Sequence, residues 1–107
     1  MATSTQVFKM VFRVIDAMDI PNGGRLIRLR LQEGEALPIR QIRGGRFTAK
    51  SPTGEQETLR AKGLAMIGGR PSDSRLARTG RIDLMVTLDE NEDQPRVSTR
   101  WEVTGPI

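Results

Sequence analysis

Apolar and polar residues alternate most clearly in the segment 14–38, and the pattern predicts a β-hairpin. Along its second strand, Ile27, Leu29 and Leu31 alternate with Arg28, Arg30 and Gln32. One face of this strand is therefore apolar and the other is cationic. The preceding residues 22–24 (Asn-Gly-Gly) tolerate the positive φ that a reversal between two right-twisted strands requires. We expect Gly24 to adopt positive φ in this turn.

The rest of the chain is predicted to form further short strands. The first begins at Gln6, with a bulge or bend near Ala17, where the alternation slips. Later strands are predicted at residues 39–43, 46–51, 58–67, 81–88 and 97–103. The segment 58–67 is also compatible with a helix, but we favour a strand with a kink at Gly63. Between the strands, 51–54 and 89–93 are predicted turns, and 70–80 is a polar loop with room for one helical turn at 72–77.

Short strands without a convincing amphipathic helix predict an all-β fold. We expect a small closed or partly open antiparallel β-barrel of six to seven strands, because a barrel removes exposed strand edges. The 107 residues have room for one domain, which we place at 6–107 after a flexible N-terminus at 1–5. The predicted core consists of Phe8, Met10, Phe12, Val14, Ile27, Leu29, Leu31, Ile42, Leu84, Val86 and Leu88.

Several residue types that carry enzyme and metal chemistry are missing. The chain has no cysteine, which excludes disulfides and thiolate metal sites, and no histidine, the commonest general base and metal ligand at neutral pH. The N-terminal segment lacks the basic and apolar regions of a signal peptide, and no apolar stretch approaches the ~20 residues of a spanning helix. We expect a cytoplasmic protein with no membrane partner and no cofactor.

The acidic run at 89–93 imitates the start of a calcium loop. Asp89, Asn91 and Asp93 have the spacing of the first ligands, but Gln94 and Arg100 stand where such a loop needs Gly and Glu. We therefore interpret the run as a charged hairpin tip and expect no metal site.

Candidate nucleophiles lack an activating base. Ser72, Ser74 and Thr79 have no histidine to activate them, and the carboxylate pair Glu33 and Glu35 flanks a glycine, which indicates an exposed turn. We expect no catalytic residues and no enzymatic activity.

The positive charge changes this picture more than any single motif. The net charge is +4, and Arg supplies 14 of the 17 basic residues. Six of them lie close together in the sequence: Arg25, Arg28, Arg30, Arg40, Arg43 and Arg46. If adjacent strands pair, these arginines form a stripe suited to phosphates, which the planar guanidinium binds with two hydrogen bonds. The alternative is a solvated face that keeps the barrel soluble. Aromatic residues are only 4% of the chain, so few side chains are available to stack on bases.

A family resemblance involves Ile20-Pro21, Gly24, Arg30 and Gly34. Their order and spacing are similar to the second, β-barrel domain of translational GTPases of the elongation factor Tu type. The resemblance covers roughly residues 8–88, and its last part is the segment from Leu64 to Leu88. It implies a translation-factor domain II-like barrel that contacts RNA and protein surfaces.

The chain departs from this family at several positions. Leu29 occupies the place of a family glycine, and Ile39-Arg40 stands where the family has Gly-Asp. No G-x-x-x-x-G-K-[ST] motif is present, so the resemblance implies a barrel without a GTPase domain. We therefore expect a non-catalytic binding module that contacts RNA or the ribosome through its arginine-rich face. The alternative is a protein-interaction or self-assembly module with no nucleic-acid role.

Overall fold

The computed structural model describes residues 10–21, 23–64, 72–91 and 93–107. Its elements in chain order are β1 (Met10–Asp19), β2 (Arg25–Gly34), α1 (Ile39–Ile42), β3 (Arg46–Lys50), β4 (Gln56–Leu64), α2 (Asp73–Thr79), β5 (Arg81–Leu88) and β6 (Glu102–Gly105). The segment 1–5, predicted to be flexible, lies outside the described residues. No helix in the described ranges has both the length and the apolar character needed to cross a membrane.

The six strands in the described residues close into an antiparallel barrel in the order β1-β2-β5-β4-β3-β6. Each of these strands pairs with a neighbour on both sides, so the sheet has no free edge. The predicted all-β barrel is therefore confirmed. Consecutive strands do not always pair, because β5 lies between β2 and β4.

The hairpin of β1 and β2 forms as predicted. Gly24 has a φ of +90° and is buried, and an added Cβ would lie only 3.0 Å from the carbonyl oxygen of Val86. Glycine is therefore needed there for its backbone conformation and for the space it leaves. The pairing of the two strands shifts between Val14 and Asp16, close to the slip expected at Ala17.

An apolar core fills the barrel. Its buried residues are Met10, Phe12, Val14, Ile27, Leu29, Ile42, Phe47, Ala49, Leu59, Ala61, Leu76, Ile82, Leu84, Val86, Val97, Trp101 and Val103. Among the residues predicted from the sequence, Leu31 and Leu88 are half-buried against this core, and Phe8 lies outside the described residues. The other predicted core residues are buried.

The segment 39–43, predicted as a strand, forms the short helix α1. The backbone N–H of Arg43 donates to the carbonyl oxygen of Ile39 at 2.9 Å, which is a helical hydrogen bond. Pro38 precedes the helix in an extended conformation, and Gly44 follows it with a φ of +78°. A four-residue run with apolar ends fits one helical turn as well as a strand, so its pattern cannot distinguish them.

The last strand is shorter than predicted, because β6 begins only at Glu102. Before it, Arg100 has a φ of +78°, and the backbone N–H of Trp101 donates to the carbonyl oxygen of Ser98 at 3.2 Å. Val97 and Trp101 are nevertheless buried. The apolar spacing in 97–103 therefore reflects an irregular segment that packs on the core, and only its end pairs as a strand.

The segment 58–67 is a strand as far as the structure describes it. β4 ends at Leu64, and its pairing with β5 shifts between Ala61 and Gly63, where the kink was predicted. Residues 65–67 lie outside the described residues. The expected helical turn at 72–77 is the first part of the longer helix α2.

Candidate anion-binding surface

The six arginines predicted to form a nucleic-acid-binding stripe lie on different parts of the barrel. They are Arg25, Arg28 and Arg30 on β2, Arg40 in α1, Arg43 at its C-terminal end and Arg46 on β3. Two strands separate β2 from β3 in either direction round the barrel, so Arg46 lies across the barrel from the β2 arginines. Arg40 lies in α1 and Arg43 caps its C-terminal end, so neither belongs to a strand beside β2. A single stripe of these residues is therefore not formed.

Carboxylates pair with three arginines of this set, which are Arg25, Arg28 and Arg46. Arg25 forms an ion pair with Asp19. Arg46 is the cross-strand neighbour of Arg60, and Asp89 pairs with both. A carboxylate oxygen of Asp89 lies 3.5 Å from Nη1 of Arg46, and the other lies 2.7 Å from Nη2 of Arg60. The two like charges on β3 and β4 thus share one counter-charge.

Arg28 lies in a row of alternating charge on the outer face of three strands. Its direct cross-strand neighbours are Asp16 on β1 and Asp83 on β5. Nε of Arg28 donates to Oδ1 of Asp83 at 3.0 Å, and Nη2 donates to Oδ2 at 3.4 Å. The hydrogen bond with Asp83 and the charge of Asp83, with a smaller effect of Asp16, raise the pKa of Arg28 above its ordinary value. We name these three residues the balanced row.

The adjacent outward-facing row on the same three strands consists only of arginines. Arg13 on β1 pairs with Arg30 on β2, and Arg30 pairs with Arg81 on β5. All three side chains are exposed, and within the described residues none of them forms an ion pair or a side-chain hydrogen bond. Directly opposed residues have Cβ atoms about 4.5–5.5 Å apart, so these like charges repel one another. We name this set the arginine row.

Charged residues continue the arginine row beyond its β1 end. On β6, Glu102 is opposite Arg13, and Lys50 on β3 is opposite Glu102. Arg78, in the last turn of α2, precedes Arg81 by three residues in the sequence, and its side chain is also exposed. Glu102 therefore lies between the arginine row and Lys50 on the outer face.

An apolar row crosses the same strands on the other side of the balanced row. Met18 on β1 pairs with Leu26 on β2, and Leu26 pairs with Met85 on β5. Met18 is 49% exposed, while Leu26 and Met85 are half-buried. Along the strands, the outer face of β1, β2 and β5 therefore changes from the cationic arginine row, through the mixed charges of the balanced row with its two carboxylates and one arginine, to the apolar row.

The hydroxyl groups considered as nucleophiles have structural contacts. Oγ of Ser72 accepts a hydrogen bond from the backbone N–H of Arg75 at 3.1 Å and so caps α2. Oγ1 of Thr79 donates to the carbonyl oxygen of Arg75 at 2.8 Å. Neither contact prepares a hydroxyl for attack on a substrate.

A polar groove of about 620 Å³ lies elsewhere on the barrel, where Glu57 of β4 and Thr48 of β3 contribute to its lining. The carboxylate of Glu57 accepts hydrogen bonds from the backbone N–H groups of Arg96 and Val97, at 2.8 Å and 3.0 Å respectively. Its acceptor capacity is therefore used to hold the segment that leads to β6.

The sequence pattern predicts Arg30 as a site residue, but it does not indicate Arg13 and Arg81. Both alternate with buried residues, which predicts that they face outward. Their position beside Arg30 follows from the strand register, however, and above all from the insertion of β5 next to β2. A pairing between strands about 50 residues apart has no local sequence signal.

Comparison of the chain with protein-family models, with curated proteins and with solved structures finds no significant match.

Proposed function

We propose that this protein is a non-catalytic binding module that contacts RNA or the ribosome through the arginine row. The single observation that carries the proposal is the direct cross-strand alignment of Arg13, Arg30 and Arg81. The resemblance to the barrel domain of the elongation factor Tu type supports the same class of partner, and cytoplasmic location is part of the proposal.

The electrostatics favour an anionic partner for this row. Elsewhere on the barrel, a carboxylate accompanies neighbouring cations, as Asp89 does for Arg46 and Arg60. The arginine row has no such partner between its members, so its repulsion is relieved when an external anion binds. A polyanion adds a favourable entropy, since each neutralised phosphate releases condensed counterions.

The proposal is tested by measuring RNA binding by two variants that lose equal charge. Arg30→Gln/Arg81→Gln removes two members of the arginine row, and Arg40→Gln/Arg43→Gln removes two exposed arginines at α1. We expect the first variant to bind labelled RNA at least tenfold more weakly at low salt, and the second to bind within about twofold of the wild type. Equal losses would indicate a dependence on net charge alone. Failure of the wild-type protein to bind RNA at low salt would refute the proposal.

A second candidate function is protein interaction or self-assembly, and the apolar row favours it. Met18 is an exposed large apolar residue, and Leu26 and Met85 extend its surface across the sheet. If this surface associates with a second copy, sedimentation velocity should detect a concentration-dependent dimer, and Met18→Lys should abolish it. If the wild-type protein is a monomer at all concentrations tested, the self-assembly function is refuted.

A further inference from the structure

Resting on the proposed function, we infer that the arginine row binds the phosphate backbone of double-stranded RNA and reads no bases. The partner class follows from two properties of the surface. These are the close spacing of its charges and the burial of the aromatic side chains that single-strand recognition needs.

The spacing of the charges suits a dense array of phosphates. Neighbouring strands lie about 4.8 Å apart, so the three Cα atoms of the row span about 10 Å. A double helix carries one phosphate charge per ~1.7 Å of axis when both strands are counted, which exceeds the charge density of a single strand. Three guanidinium groups within this distance are therefore matched better by a duplex.

The aromatic residues do not provide a platform for bases. Phe12 and Phe47 are fully buried, and Trp101 is only 7% exposed. The remaining aromatic residue, Phe8, lies outside the described residues. Single-strand binding proteins gain much of their affinity from bases stacked on exposed aromatic rings, and within the described part of the chain no such ring is exposed.

The surroundings of the arginine row limit its contact with RNA to the phosphate backbone. The balanced row presents the carboxylates of Asp16 and Asp83 one step along the strands, and these repel a phosphate placed there. The arginines lie on the outer face of barrel strands, and not on a helix or loop that could enter a groove and reach base edges. Recognition by this surface is therefore independent of sequence.

The test compares a 20-base-pair RNA duplex with a 20-nucleotide polyuridine strand by fluorescence anisotropy between 50 and 200 mM salt. We expect the duplex to bind several-fold more tightly at 50 mM. Three phosphate contacts predict a log–log salt slope near −2.7, or a loss of about 40-fold in duplex affinity over this range. The Arg30→Gln/Arg81→Gln variant keeps one phosphate contact. Its own affinity for the duplex should therefore fall only about three- to fourfold between 50 and 200 mM salt. Arg40→Gln/Arg43→Gln should behave as the wild type does.

The outcomes separate this inference from the proposed function. Polyuridine that binds as tightly as the duplex, with binding still lost in Arg30→Gln/Arg81→Gln, would overturn the duplex preference and leave RNA binding in place. Binding of neither RNA at 50 mM salt would overturn both, and binding of polyglutamate in that case would point to an acidic protein partner. Circular dichroism and thermal melting of each variant establish that it is folded.

Discussion

Two adjacent rows of side chains cross the outer face of β1, β2 and β5, and they differ in how their charge is compensated. In the balanced row, Arg28 lies between Asp16 and Asp83 and hydrogen-bonds to the latter at 3.0 Å. In the arginine row, Arg30 lies between two further arginines. Both rows share the same strands and the same core beneath them. The difference between them therefore comes from the side chains alone.

The charges of the balanced row serve the fold, whereas those of the arginine row remain available for a partner. An ion pair on a sheet surface satisfies its own members and leaves a weak field. Three adjacent cations cost stability, because like charges directly opposite one another repel. A protein retains such a cost most readily where the charges bind something, and this is the physical basis of our proposal.

The largest expected loss of stability comes from truncating a core side chain beneath both rows. Leu29 lies between Arg28 and Arg30 in sequence, points inward and is fully buried. We expect Leu29→Ala to lower the free energy of unfolding by about 2–5 kcal/mol, through lost apolar burial and the cavity left behind. Urea denaturation measures this change. A loss under about half a kcal/mol would mean that β2 faces the other way, and the assignment of both rows would fail.

A smaller loss of stability is expected from a substitution in the β1–β2 turn, which sets the register of the two rows. Gly24 has a φ of +90°, and a Cβ would approach the carbonyl oxygen of Val86 to 3.0 Å. Gly24→Val should destabilise the protein by more than about 1 kcal/mol, because a β-branched residue at positive φ is strained. Gly23 has a φ of +95° but open space around its Cβ position, so Gly23→Asn is a control. Equal losses for the two variants would exclude the close approach as a cause.

Removal of one charge from the balanced row should lower the stability of the protein, and removal of one from the arginine row should raise it. Asp83→Asn deprives Arg28 of its ion-pair partner and should cost about 0–1 kcal/mol, since the arginine is partly exposed. Arg30→Gln relieves repulsion from both neighbours and should raise stability by on the order of 0.5 kcal/mol at low salt. Thermal melting at 20 mM and 500 mM salt checks both, because screening should shrink the two effects. Destabilisation by Arg30→Gln would indicate that the row is already compensated.

The sequence predicts those features of the fold and of the arginine row that depend on local patterns. The alternation around Arg28 and Arg30 predicted a strand with a cationic outer face, and the strand Arg81–Leu88 agrees with its predicted bounds. The helix at 39–42 was missed because its pattern also fits a strand. The segment 97–103 was predicted as a strand because its buried residues alternate with polar ones, although most of the segment is irregular.

The arginine row depends on long-range pairing and could not be predicted in the same way. Arg13, Arg30 and Arg81 become neighbours only through the registers of β1 with β2 and of β2 with β5. The second of these pairings joins strands that are separated in sequence by α1, β3, β4 and α2. The sequence clustering of Arg40, Arg43 and Arg46 with the β2 arginines pointed to a stripe that the barrel order does not form.

The most direct test of the central claim is the salt dependence of RNA-duplex binding along a series of variants. Arg30→Gln, Arg30→Gln/Arg81→Gln and the triple variant with Arg13→Gln remove one, two and three members of the arginine row. We expect the log–log salt slope to become shallower by about 0.9 at each step. Arg28→Gln/Asp83→Asn removes the ion pair of the balanced row without changing the net charge, and its slope should match the wild type. A triple variant that keeps the wild-type slope would contradict the account.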